Sequence, residues 1–167
     1  LLKMLNMSNQ EDLVDGINTL RVVPLTLSYE IEPCAYEKAV ELHIKAVEGT
    51  YEKTASDDLN AMRKGILQQK GHVHIEIGSP VQLTHAETEG MNKNQVFKVW
   101  KEKVDEQIHQ NYRLWPNNFI AFDLLNEDDK YADKYTVAER QSFVERMNKE
   151  FENSEYNNED CLRRYIQ

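Results

Sequence analysis

The chain has 167 residues, 40% of them apolar, enough for one buried core. Its formal charge of −9 argues against nucleic acid and anionic lipid surfaces, because both select for clustered Lys and Arg. No apolar run approaches the roughly 20 residues of a membrane span, nothing at the N-terminus reads as a signal peptide, and Cys34 and Cys161 lack CxxC spacing, so a cytoplasmic protein without disulfide framework, zinc finger or other cofactor is expected.

Residues 1–7 carry apolar side chains at helical spacing with no cap before them, so the chain is expected to start inside an element, as the C-terminal part of a larger protein. Ser8 with Glu11 three positions on predicts a cap for a short helix bearing Leu13, Val14 and Ile17. Residues 21–30 then read as a strand rich in Val, Leu, Thr and Tyr, with Pro24 near its start, where no ladder donor is lost. Beyond Pro33, the spacing of Tyr36, Val40, Ile44 and Val47 marks a helix face that stops at Gly49. Ser56 with Asp57 and Asp58 predicts the cap of a second helix, which carries Leu59, Met62, Ile66 and Leu67 and runs to about Gly71.

A second strand follows at residues 72–78, with Val73, Ile75 and Ile77 on one face and His72, His74 and Glu76 on the other. Some forty residues of helix between the strands predict parallel neighbours joined by a right-handed crossover. From Asn92 the pattern is helical: first Val96, Trp100, Val104 and Ile108, then an aromatic patch after Pro116, then a capping box at Thr136 and Glu139, and a last helix from about Cys161 to Ile166. The expected fold is α/β: a small parallel or mixed sheet covered by helices in residues 1–91, with residues 92–167 as a helical extension on it, all in one compact unit.

Four blocks carry a resemblance: residues 2–7, the Val23-Pro24 strand running to Tyr29-Glu30-Ile31-Glu32-Pro33-Cys34, the Lys70-Gly71-His72-Val73-His74 strand, and residues 111–118 around Trp115-Pro116-Asn117-Asn118. Together they resemble the C-terminal half of bacterial acyltransferases of the glycerol-phosphate and lysophosphatidate superfamily. The resemblance implies acyl transfer from a thioester carrier to a hydroxyl of a glycerol-phosphate-type lipid, with Val23, Pro24 and Tyr29 beside the acceptor. It implies phospholipid biosynthesis and a cytoplasmic location that admits peripheral contact with the inner membrane through a part of the protein outside this sequence.

That superfamily works with a His followed five positions later by an Asp. Here the residues five positions after each His are Glu48, Ile77, Ser79, Gly90 and Leu114, so the dyad is absent from this sequence and no catalytic residue is assigned. His43 with Glu48, and Glu48-Gly49-Thr50-Tyr51 beside it, imitate the catalytic and phosphate-binding blocks but follow the Val-Pro strand instead of preceding it. Tyr51 also stands where an Arg would fork onto phosphate. The chain alone is therefore expected to be inactive, and its unpaired sheet edge and apolar surface to favour self-association.

Three further groups merit a place. His72, His74 and Glu76 have spacing that admits a metal, although no fourth ligand accompanies them and no metal site is assigned. Glu30 and Glu32 stand where a strand end would border a ligand crevice. Trp115 beside Pro116 suits either a stacking platform or, more simply, the anchor of a turn. The alternative to an acyltransferase part is a non-catalytic interaction module whose helical half from Asn92 binds a partner.

Overall fold

A computed structural model describes residues 12–166; residues 1–7 and the Ser8–Glu11 cap lie outside the described residues. The described chain is mostly helical, with one two-stranded sheet. In order it contains α1 (Leu13–Thr19), β1 (Leu25–Tyr29), α2 (Ala35–Glu48), α3 (Ala55–Leu67), β2 (Val73–Ile77), α4 (Lys93–Asn111), α5 (Pro116–Asn126), α6 (Val137–Phe151) and α7 (Glu159–Ile166). Asp12 caps α1, its Oδ1 accepting from the N–H groups of Val14 and Asp15. Thr54, rather than Ser56, caps α3, because Thr54 is extended and exchanges hydrogen bonds with Asp57, whereas Ser56 already lies in the first turn. Gly49 ends α2 in the left-handed region, and Thr136 with Glu139 opens α6, as their sequence patterns predict. Among the described residues no helix is long and apolar enough to cross a membrane.

The strand pair is antiparallel, not parallel. Bonds from Gly78 N to Pro24 O and from Glu30 N to His72 O, both 2.9 Å, bracket the ladder and fix its register. Leu25 faces Ile77, Thr26 faces Glu76, Leu27 faces Ile75 and Ser28 faces His74. The crossover expectation fails because α2 and α3 leave and return on the same end of the ladder, so a long connection closes like a hairpin loop.

The chain divides into two compact units whose boundaries differ from the expected division at residue 91. The first comprises residues 12–28 and His74–Arg113, and its core is Val14, Ile17, Val81, Leu83, Val96, Phe97 and Trp100. Asn18 ties α1 to the segment after β2 by mimicking a strand: its Nδ2 donates to Leu83 O (2.8 Å) and its Oδ1 accepts from Leu83 N (2.9 Å). This sharing of one core by α1 and α4 is why the helical half does not begin a separate layer at Asn92.

The second unit comprises Tyr29–Val73 and residues 114–166. Ala39 of α2, Phe151 of α6 and Cys161 of α7 are fully buried there, with Tyr36, Val40, Met147 and Tyr165 around them. Polar contacts reinforce that junction, Tyr36 Oη lying 2.7 Å from Ser154 Oγ and His43 Nδ1 2.7 Å from Asp160 Oδ2. His43 is thus a strut between α2 and α7, and its sequence neighbour Glu48 has no part in that pair.

The sheet has an unusual polarity. Thr26 and Ser28 point to the buried face at about 2% and 1% exposure, while Leu25 and Leu27 of β1 and Ile75 and Ile77 of β2 are 39–68% exposed. Strand alternation sorts these residues into two faces, and the face turned to solvent is the apolar one.

Candidate functional site

In the second unit the segment after β1 and the segment before β2 meet over Trp115. Glu30 accepts at Oε2 from the His72 backbone N–H (2.8 Å), and the same oxygen lies 2.6 Å from His72 Nδ1. The His72 ring stacks on Trp115, centroids 5.6 Å apart and planes 16° from parallel. Asn117 Nδ2 donates to the Glu30 carbonyl, and the Lys70 ammonium lies 5.9 Å from the Tyr29 ring centroid. Glu30, His72, Trp115 and Asn117 are separate candidates in the sequence, and the structure brings them together.

Gly71 makes this approach possible. Its φ of +63° lies in the left-handed region, and a Cβ there would overlap Glu30 Oε2 and stand 3.0 Å from Glu30 Cδ. Gly71→Ala is expected to cost about 1–2 kcal/mol from the backbone conformation alone. A further loss should disappear when Glu30→Ala is made in the same chain, since the clash is with that side chain. Urea unfolding of the two single variants and the double variant measures the coupling; strict additivity would show that the clash is relieved elsewhere.

The electrostatics of the pair follow from its bonds. The His72 backbone N–H, with the imidazole and Arg146 assisting, holds the Glu30 carboxyl below its usual range against the opposing effect of partial burial. The carboxylate fixes one ring nitrogen of an imidazole that stays largely exposed, so the pair sets the orientation of the ring over Trp115.

A cleft of about 470 Å³ opens between α2 and α3, with Cys34, Glu41, Lys53 and Lys64 on its walls. Glu41 is the buried anion there, paired with Lys38 (3.4 Å), Lys45 (2.5 Å) and Lys53 (3.1 Å). These lysines, Lys45 foremost, pull its carboxyl down to about 2 although burial works the other way. Lys64 pairs with Glu37, and burial pushes the Cys34 thiol up, which leaves it a poor nucleophile. Of these ion pairs only Lys64 with Glu37 joins α3 to α2, for Lys38 and Lys45 share α2 with Glu41 and Lys53 lies in the connection between the helices.

The sequence-assigned residues fall as follows. Pro24 is buried at the opening of β1 with its carbonyl on Gly78, Val23 before it is 41% exposed, and both belong to the first unit. Tyr29 is half-buried in the second unit. His72, His74 and Glu76 do not converge on a common point, for His72 is engaged by Glu30 and His74 Nε2 by the Asn111 carbonyl at 3.1 Å. A different trio, Asp12, Asp15 and His85, brings its donor atoms within 4.8 Å of one another on the surface of the first unit. Its histidine is some seventy residues from its aspartates, so no local spacing reveals it, and Asp12 is already committed to capping α1 and to His85 (3.2 Å).

No protein-family model, no curated protein and no solved structure matches this chain.

Proposed function

We propose that this chain is the acceptor-side part of an acyltransferase acting on a glycerol-phosphate-type lipid, its chemistry supplied by a preceding part of the same protein. The observation that carries this reading is the outward apolar face of the β1–β2 ribbon. Leu25, Leu27, Ile75 and Ile77 form the kind of surface that a larger α/β core covers, and the Val23-Pro24 strand of the sequence resemblance is one side of it. In the reaction, the acceptor hydroxyl oxygen attacks the thioester carbonyl, the base of the His–Asp pair outside this sequence takes the hydroxyl proton, and as the C–S bond breaks that proton is handed to the departing thiolate to give the free thiol. On this reading Val23 and Pro24 shape the floor beside the acceptor.

The test compares this chain with the longest product of its reading frame, each incubated with acyl thioester and glycerol 3-phosphate. Transfer by the longer product alone is the expected result, with Pro24→Ala in that product raising KM for the acceptor more than it lowers kcat. Transfer by the short chain overturns the placement of the chemistry, and no transfer by either overturns the acyltransferase reading. A second reading, a non-catalytic interaction module, is favoured by α3, a helix outside the half from Asn92 that the sequence suggests for partner binding, whose Leu59, Met62 and Ile66 lie exposed on one side. An inactive longer product that still forms a defined complex through that helix would support it.

A further inference from the structure

We infer that β2 is a homodimerisation edge, across which two copies of the chain pair antiparallel about a two-fold axis at Ile75. Three observations carry this beyond the acyltransferase reading, and none depends on catalysis.

The first is the backbone. In the fixed register, Thr26 with Glu76 and Ser28 with His74 are the rungs that exchange ladder bonds, so the N–H and C=O groups of Val73, Ile75 and Ile77 point away from β1. Among the described residues no third strand takes them, and β2 is exposed at four of its five positions. An edge of this kind is a template for another strand.

The second is the order of side chains. Val73-His74-Ile75-Glu76-Ile77 reads nearly the same in both directions. Pairing it with itself about Ile75 sets Ile75 against Ile75 of the second copy and Val73 against its Ile77 on the apolar face. On the other face each His74 meets Glu76 of the second copy. A shift by one residue would put apolar side chains on the polar face, and a shift by two would set His74 against His74 or Glu76 against Glu76 in place of His74 against Glu76, so this register is favoured. His74 already uses Nε2 on the Asn111 carbonyl, which fixes its ring.

The third is what pairing does to exposed surface. It joins two ribbons into a four-stranded sheet and continues the apolar face made by Leu25, Leu27, Ile75 and Ile77 across the axis. The contact is smaller than a standard interface, and the charge of −9 per chain opposes it, so a weak dimer with Kd on the order of 10 µM at physiological salt is expected.

The chain is tested as it stands by light scattering behind size exclusion and by sedimentation, from about 5 to about 200 µM. The mass should rise with concentration from 19.6 kDa towards twice that value. Glu76→Lys, at an exposed position that faces solvent in the single copy, should weaken the dimer at least tenfold with an unchanged circular dichroism spectrum. In a Cys34→Ser background, Ile75→Cys should cross-link within the dimer on mild oxidation, since rungs that exchange hydrogen bonds bring Cα atoms about 5.5 Å apart, within disulfide range. Leu27→Cys in the same background should not. A constant 19.6 kDa at every concentration overturns the inference, as does a dimer that Glu76→Lys leaves intact and Ile75→Cys does not trap.

Discussion

Replacing Trp100 by alanine is expected to destabilise the first unit by about 3–5 kcal/mol, the range for truncating a large aromatic in a closed core. Trp100 is fully buried on α4, packs obliquely against Phe97 at 6.2 Å between centroids, and joins Val14 and Ile17 of α1 to Val81 and Leu83. The indole therefore links three sequence-distant segments, and alanine would leave a cavity that none of them fills without moving. Urea unfolding followed by circular dichroism should show a midpoint lower by about 1.5–2.5 M, taking a slope near 2 kcal/mol per M. Trp100→Phe supplies the control. The indole N–H has no hydrogen-bond partner among the described residues, so phenylalanine removes a buried donor along with part of the ring and should cost far less than alanine. Equal losses for the two variants would mean that ring volume is not what the site requires.

Asp123→Ala should come next in magnitude, at about 2–4 kcal/mol. Asp123 is 1% exposed on α5 and is the acceptor for the turn that follows it. The Tyr131 N–H donates to both its oxygens at 3.1–3.2 Å, and Tyr135 Oη donates to Oδ2 at 2.7 Å. Alanine leaves the Tyr131 N–H without its acceptor and frees the ring of Tyr131, which packs 5.3 Å from Phe119 and 5.0 Å from Phe122. The tyrosine hydroxyl also loses its carboxylate, and that bond is the first reason the Tyr135 phenol is held above its ordinary range. In Asp123→Ala the Tyr135 titration should move down, which absorbance at 295 nm reads directly. Asp123→Asn keeps one acceptor oxygen for the Tyr131 N–H and offers its amide N–H to the Tyr135 hydroxyl, which can accept, so it should recover part of the stability; failure to recover any would show that the negative charge, not hydrogen bonding, holds the turn.

What the sequence makes legible here is local. Gly49 as a left-handed stop, the Thr136 and Glu139 capping box and β2 as a strand are each decided by residues within four positions of one another, and the structure has all three. Period-2 alternation defines two faces of β2 but carries no information on which face is covered, so the outward turn of Val73, Ile75 and Ile77 is visible only in three dimensions. The sense of pairing was lost for a related reason. Connection length excludes a tight turn, but it does not exclude two helices that go out and come back, and that is the path α2 and α3 take. The meeting of Glu30 with His72 depends on that same return, across 42 residues of chain, and Gly71 between Lys70 and His72 was the one local sign of it, read instead as the end of a helix.

The antiparallel register bears on how the molecule can be divided. Ser28 and His74 face each other across a rung that exchanges ladder bonds, the geometry that a two-residue turn closes. Everything between them, residues 29–73, occupies the place of a hairpin loop, and the first unit needs none of those residues for its core. An Asn-Gly dipeptide spliced from Ser28 to His74 would thus turn residues 12–113 into a continuous miniature built on a plain hairpin. The second unit is interrupted in its turn, its halves, residues 29–73 and 114–166, lying on either side of β2 and α4 in the sequence.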